Sequence, residues 1–136
     1  MESIHFLTAP GAIPSTEDWE QLQRVGHPPG YQDLLNQTGV GMLTGWLQLL
    51  DVDRVVDDLE AFRERIVEDW CWEDEPEEAE RTQLVLLAET VNGDEMVWGP
   101  TSGFWLLPAD EDEAVALGER FDQAISALFE AGSLPP

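Results

Sequence analysis

Apolar residues recur along this chain at two periods, and the switches between them set out the elements. Ser15 offers an N-cap, and Asp18 three positions on makes an acidic variant of the capping box. Trp19, Leu22 and Val25 then share a helical face, and Gly26 stops the helix. In "HPPGYQDLLNQTG" the prolines end that helix and open a second, with Tyr31, Leu34 and Leu35 on its buried side and Gly39 as its stop. Residues 1–14, carrying Pro10, Gly11 and Pro14, read as an extended lead-in. The apolar run Met42 to Leu50 predicts a strand, in which Gly45 suggests a bulge or a close backbone approach.

Val55, Leu59, Phe62 and Ile66 return at steps of four, three and four, which predicts one amphipathic helix over about Asp53 to Asp69. Pro76 breaks the acidic stretch beyond it, leaving a loop and a short new helix. Leu84–Ala88, Met96–Trp98 and Phe104–Leu107 read as three strands of an antiparallel meander. Asn92-Gly93 between the first two predicts a type I′ hairpin, with Gly93 at positive φ and Asp94 starting the next strand. "PADEDEA" suits a helix N-terminus, and Leu117, Phe121, Ile125 and Leu128 give a final helical stripe up to Gly132. Helix–helix–strand–helix–strands–helix is the order of an α+β fold, a single domain over residues 1–136 with a mostly antiparallel sheet covered by helices.

Charge changes the picture more than size does. The 136 residues carry 29 acids and six bases, all arginine, for a net charge of −23. Phosphate contacts need basic groups, so direct nucleic-acid binding is disfavoured, as is an anionic membrane surface. A basic partner is favoured. An acidic bias throughout the source proteome would also give this balance, but there the charge would be evenly spread. One cysteine, Cys71, excludes an intrachain disulfide. The N-terminus has no signal-peptide pattern, and no apolar run approaches the roughly 20 residues that span a bilayer. The expectation is a soluble, cytoplasmic protein.

Patterns that carry chemistry are missing. His5 and His27 stand apart from any metal-ligand spacing, and the serines lie in no nucleophile elbow. The chain lacks lysine altogether, and so lacks a Walker loop. "DVD" at Asp51–Asp53 lacks the remaining ligands of a calcium loop. The carboxylates around Cys71 would raise its pKa and quieten it. No catalytic residue, metal or cofactor is expected, and the chain is read as a non-enzyme.

The distribution of acids is more informative. Between Asp51 and Glu80 lie fourteen acids against three arginines, a local net of −11. A solvated helix face and a polar loop would produce such a run. Trp70 and Trp72 interrupt its densest part, however, and tryptophan ringed by carboxylates makes an anchor for a partner. Trp70 also continues the Ile66 stripe, which would place it in the core. The candidate partner-binding residues are Asp51, Asp53, Asp57, Asp58, Asp69, Trp70, Trp72, Glu73 and Asp74.

Several segments together resemble a known family. "EDWEQLQRVGHPPGYQDLLNQTGVG" and "LLAETVNGDEMVWGP", with a closing helix around Phe121, are similar to the SUKH superfamily, which includes yeast cell-wall assembly regulators and many bacterial proteins. The residues that carry the resemblance are Trp19, Pro29, Tyr31, Leu34, Leu35, Gly39, Gly41, Gly93, Asp94 and Trp98, over roughly residues 15 to 130. The resemblance implies an α+β domain with a curved antiparallel sheet. It also implies an immunity protein that neutralises a toxin domain, often a nuclease, delivered between competing cells. A basic nuclease and an acidic inhibitor would complement each other, with residues 51–80 as the partner-specific surface. Gly93 and Asp94 would then be chiefly scaffold, although a hairpin tip is also exposed to partners. Two other readings stay open: a regulatory adaptor for endogenous proteins, and an enzyme acting on a cationic small molecule.

Overall fold

The computed structural model describes residues 14–38, 42–43, 47–50, 52–68, 70, 72, 78–91, 93–109 and 113–130. Its strands are β1 (Met42–Leu43), β2 (Leu47–Leu49), β3 (Val85–Thr90), β4 (Glu95–Gly99), β5 (Gly103–Leu107) and β6 (Val115–Gly118). They form one antiparallel sheet in the order β1-β2-β3-β4-β5-β6, of which β1 is only a two-residue stub. Its helices are α1 (Thr16–Gln23), α2 (Tyr31–Thr38), α3 (Val52–Asp57), α4 (Leu59–Glu68), α5 (Glu78–Arg81) and α6 (Phe121–Glu130). This is an α+β domain, as the element order predicts. Residues 1–13 of the lead-in, Gly39, Gly41 and Gly45 lie outside the described residues.

The central strands β4 and β5 are buried on both faces. Side chains alternate along a strand. On β4 and β5, Met96, Trp98, Phe104 and Leu106 therefore enter one apolar cluster, while Val97, Trp105 and Leu107 enter another. The first cluster is completed by α1, α2, α3 and α6. The capping box forms as expected: the Asp18 N–H donates to Ser15 Oγ at 3.2 Å, and the Ser15 N–H donates to Asp18 Oδ2 at 2.9 Å.

Five of the residues named in the resemblance, Trp19, Tyr31, Leu34, Leu35 and Trp98, lie in this first cluster. Tyr31, fully buried, stands edge-on to Trp19 at 6.0 Å and to Phe121 at 5.0 Å. Trp98 lies in the same cluster. The Pro29 carbonyl accepts from the Phe121 N–H at 2.7 Å, which satisfies one of the orphan donors at the start of α6. Residues 90 positions apart in sequence thus share one packing unit.

The second cluster is smaller. Phe62 and Ile66 of α4 pack there against Leu84, Val97, Trp105 and Leu107, with Trp70 and Trp72 at its margin. α5 is tied to this side of the sheet through the Glu80 carboxylate. It accepts from the Thr101 N–H, the Ser102 N–H and the Ser102 hydroxyl, each at 3.0 Å, and Ser102 Oγ in turn accepts from Trp105 Nε1 at 2.9 Å. Gly99 leaves room for this carboxylate, because a Cβ there would collide with Glu80 Oε1.

Four sequence expectations are corrected. Met42–Leu50 is not one strand: Leu43 pairs with Leu47, so the chain reverses between them. The break in the apolar run at Thr44-Gly45, read as a bulge within one strand, falls where the chain reverses. The helix expected over Asp53–Asp69 is two, α3 and α4, with a turn at Asp58. Its stripe divides accordingly, Val55 entering the first cluster and Phe62 and Ile66 the second.

The hairpin exists, but its loop is three residues rather than two. The Gly93 N–H donates to the Thr90 carbonyl at 3.1 Å and the Thr90 N–H to the Asp94 carbonyl at 2.9 Å. Gly93 sits at φ 91°, the left-handed residue that such a loop requires. Thr90 closes the loop in place of Val91 because it is buried and its hydroxyl accepts the Asp94 N–H at 3.0 Å. Finally, Leu117 lies on β6, a strand that the sequence did not predict, and α6 begins only at Phe121. Leu117 and Phe121 enter the same cluster four residues apart, which imitates a helical step.

Candidate functional site

The sequence pattern puts apolar and acidic residues on opposite sides of α3 and α4, and the fold pairs the arginine head groups with groups of the sheet, Arg54 and Arg65 remaining partly exposed. Val52, Val55, Phe62 and Ile66 are buried. Asp53, Asp57, Glu60, Glu64 and Glu68 are exposed, at steps of four, three, four and four. Within α4 the four-residue steps of Glu60, Glu64 and Glu68 make an acidic stripe, and Asp53 and Asp57 make a shorter one on α3.

Each arginine of the segment reaches toward the sheet. Arg54 pairs with Glu89 at 3.2 Å and with Asp58 at 3.5 Å. Arg65 pairs with Glu95 at 2.6 Å and lies over the Phe62 ring at 5.3 Å. Arg63 donates to the Leu84 and Gln83 carbonyls, both at 3.1 Å. Burial lowers the Arg63 pKa, but a guanidinium keeps its charge in a protein. The cations are thus committed to holding α3 and α4 on β3 and β4, and the outer face is left negative.

Among the candidate residues, Asp53, Asp57 and Asp58 are exposed on α3 and at the turn after it, Asp58 within reach of Arg54. Asp51, Asp69, Glu73 and Asp74 lie outside the described residues. Trp70 and Trp72 are half-buried and meet edge to face at 5.1 Å. The Trp72 indole N–H donates to the Pro108 carbonyl at 2.8 Å, and Arg81 lies over Trp70 at 4.3 Å. Much of each ring is therefore used inside the molecule, and only the remainder faces outward.

Glu60, Glu64 and Glu68 belong to the stripe although the candidate set omits them. The signal that finds them is their spacing, which runs alongside the apolar residues of the same helix. Glu80, a member of the same acidic run, turns inward instead. Burial raises the pKa of its carboxylate, but the hydrogen bonds from Thr101 and Ser102 outweigh that effect and the net shift is downward. It stays ionised as a structural group.

Asp94 also acts across the fold. Its Oδ1 accepts from the Ala109 N–H at 2.7 Å, so it ties the β3–β4 hairpin to the segment after β5. Among the described residues, no group of three or more His, Cys, Asp or Glu could hold a metal ion, and no helix is long and apolar enough to cross a membrane. Comparison with protein-family models, with curated proteins and with solved structures returned no match.

Proposed function

We propose that this chain is a non-enzymatic immunity protein of SUKH type, with the curved sheet of that family, which binds a basic, nuclease-type toxin domain in the cytoplasm and neutralises it. The observation that carries the reading is the row of exposed acids on α3 and α4, Asp53, Asp57, Glu60, Glu64 and Glu68, beside arginines whose head groups are paired with groups of the sheet. A nuclease site is basic because it holds phosphate, and its inhibitor does well to be acidic. Complementary fields raise association rates to about 10⁸–10⁹ M⁻¹s⁻¹ at low salt. Speed matters to an inhibitor that must act before its toxin cuts.

The stripe also has a stability cost. Glu60, Glu64 and Glu68 repel one another at four-residue steps, each pair costing about 0.2–0.5 kcal/mol. A surface kept at that cost suits a partner. Trp70, Trp72 and the acids from Asp69 to Asp74 would extend the contact beyond α4.

The test begins with capture from the lysate of the source organism at low salt, elution by a salt step and mass spectrometry. The captured domain is then assayed on DNA and RNA with and without this chain. A basic domain whose nuclease activity this chain abolishes in near-stoichiometric amounts supports the reading. Partners that are only endogenous regulators, with no activity to block, favour the adaptor instead.

A further inference from the structure

We propose that the open edge of β6 pairs with an extended basic segment of another protein, through main-chain hydrogen bonds. β6 ends the sheet, and among the described residues its only strand partner is β5. Of its four residues only Leu117 is buried, while Val115, Ala116 and Gly118 are exposed. Edge strands are closed to other chains by short length, bulges, lysine, proline or charged residues. β6 is four residues long and its register with β5 shifts once, but no side chain within it blocks the edge. "VALG" contains no lysine, proline or charged residue. Its unpaired N–H and C=O groups are the template that strand addition uses.

Charge selects the occupant. Four acids, Asp110 to Glu113, precede β6 in sequence, and Glu119 follows it. Glu113 and Glu119 are exposed. The nearest cation, Arg120, donates to Asp122 at 3.1 Å. A second copy of the chain would bring the same acids against this edge, and like charges suppress such a pairing. A segment with alternating apolar and basic residues would meet acids at both ends of the strand and gain the ladder between them. This surface is separate from the acidic stripe, since α3 and α4 lie on β3 and β4 while β6 is the far edge of the sheet. The inference therefore stands or falls independently of the proposed function.

The test uses the full chain at low salt and three capped peptides: one alternating Lys and Val, one with proline replacing every second Val, and one alternating Glu and Val. Amide shifts and hydrogen exchange are followed along β6. The Lys–Val peptide is expected to shift and protect amides within Val115–Gly118 and to bind at least about tenfold more tightly than the other two. The double substitution Glu113→Lys and Glu119→Lys should weaken it by about tenfold, as expected for two surface charge pairs at low salt. Equal binding of the proline peptide, or shifts confined to α3 and α4, would show charge attraction without strand pairing and overturn the proposal. Dimerisation of the unsubstituted chain through β6 would identify a second copy as the occupant, and would overturn it equally.

Discussion

Glu89 and Glu95 stand directly opposite each other on β3 and β4, and each is held by an arginine from the helices above, Glu89 by Arg54 and Glu95 by Arg65. Like charges in a cross-strand pair are destabilising. Here the pair becomes the seat on which α3 and α4 dock.

Arg65→Ala should therefore cost about 1–3 kcal/mol, because the Glu95 carboxylate, largely buried, loses its partner beside Glu89. Adding Glu95→Gln should restore part of that loss. Urea unfolding of the two single variants and the double variant measures the coupling, and additive losses would contradict the pairing.

Glu80→Gln should destabilise by about 1.5–3 kcal/mol at neutral pH, the range for hydrogen bonds to a charged group. The pH dependence has a definite sign. The folded pKa is lowered from the ordinary 4.5, so the folded state favours the ionised form. That stabilisation is present in full above 4.5 and is lost as pH falls through the lowered folded value. The stability gap between wild type and variant should accordingly close on acidification below 4.5. A gap that is constant down to pH 2 would contradict the assignment.

Asp94→Ala removes the acceptor for the exposed Ala109 N–H and should cost about 0.5–1.5 kcal/mol. The local signature is faster amide exchange at Ala109. Asp94→Asn keeps a carbonyl oxygen in place and should lose less. Unchanged exchange at Ala109 in the alanine variant would mean that the tether does not hold in solution.

Glu64→Lys should separate stability from binding. Lysine between Glu60 and Glu68 replaces two repulsive four-residue pairs by two attractive ones, so the variant should be more stable by about 1 kcal/mol. It should at the same time bind a basic partner more weakly and show a shallower salt dependence. A stabilised variant with undiminished binding would exclude the stripe as the contact surface.

Local signals were legible wherever the physics is local. The Ser15–Asp18 capping box, the stop and restart at Pro28-Pro29, and the β3–β4–β5 meander all follow from neighbouring residues, and each stands in the fold. The stripe on α3 and α4 was legible too, as spacing. The errors arose where burial alone made the pattern. Leu117 and Phe121 share a core, yet one is on a strand and the other on a helix.

By itself, the sequence determined the α+β class, the excess of negative charge and which residues are apolar enough to bury, because composition and period act within a few residues. Only the tertiary structure decided which acids face outward. Glu64 and Glu80 belong to the same run, but Glu80 meets the Thr101 and Ser102 N–H groups about 20 positions away and Glu64 meets solvent. The same holds for Arg54, Arg63 and Arg65, whose partners lie on β3, on the residues leading into it and on β4. Such pairings depend on how the sheet registers and where the helices settle on it, and short-range patterns carry no record of either.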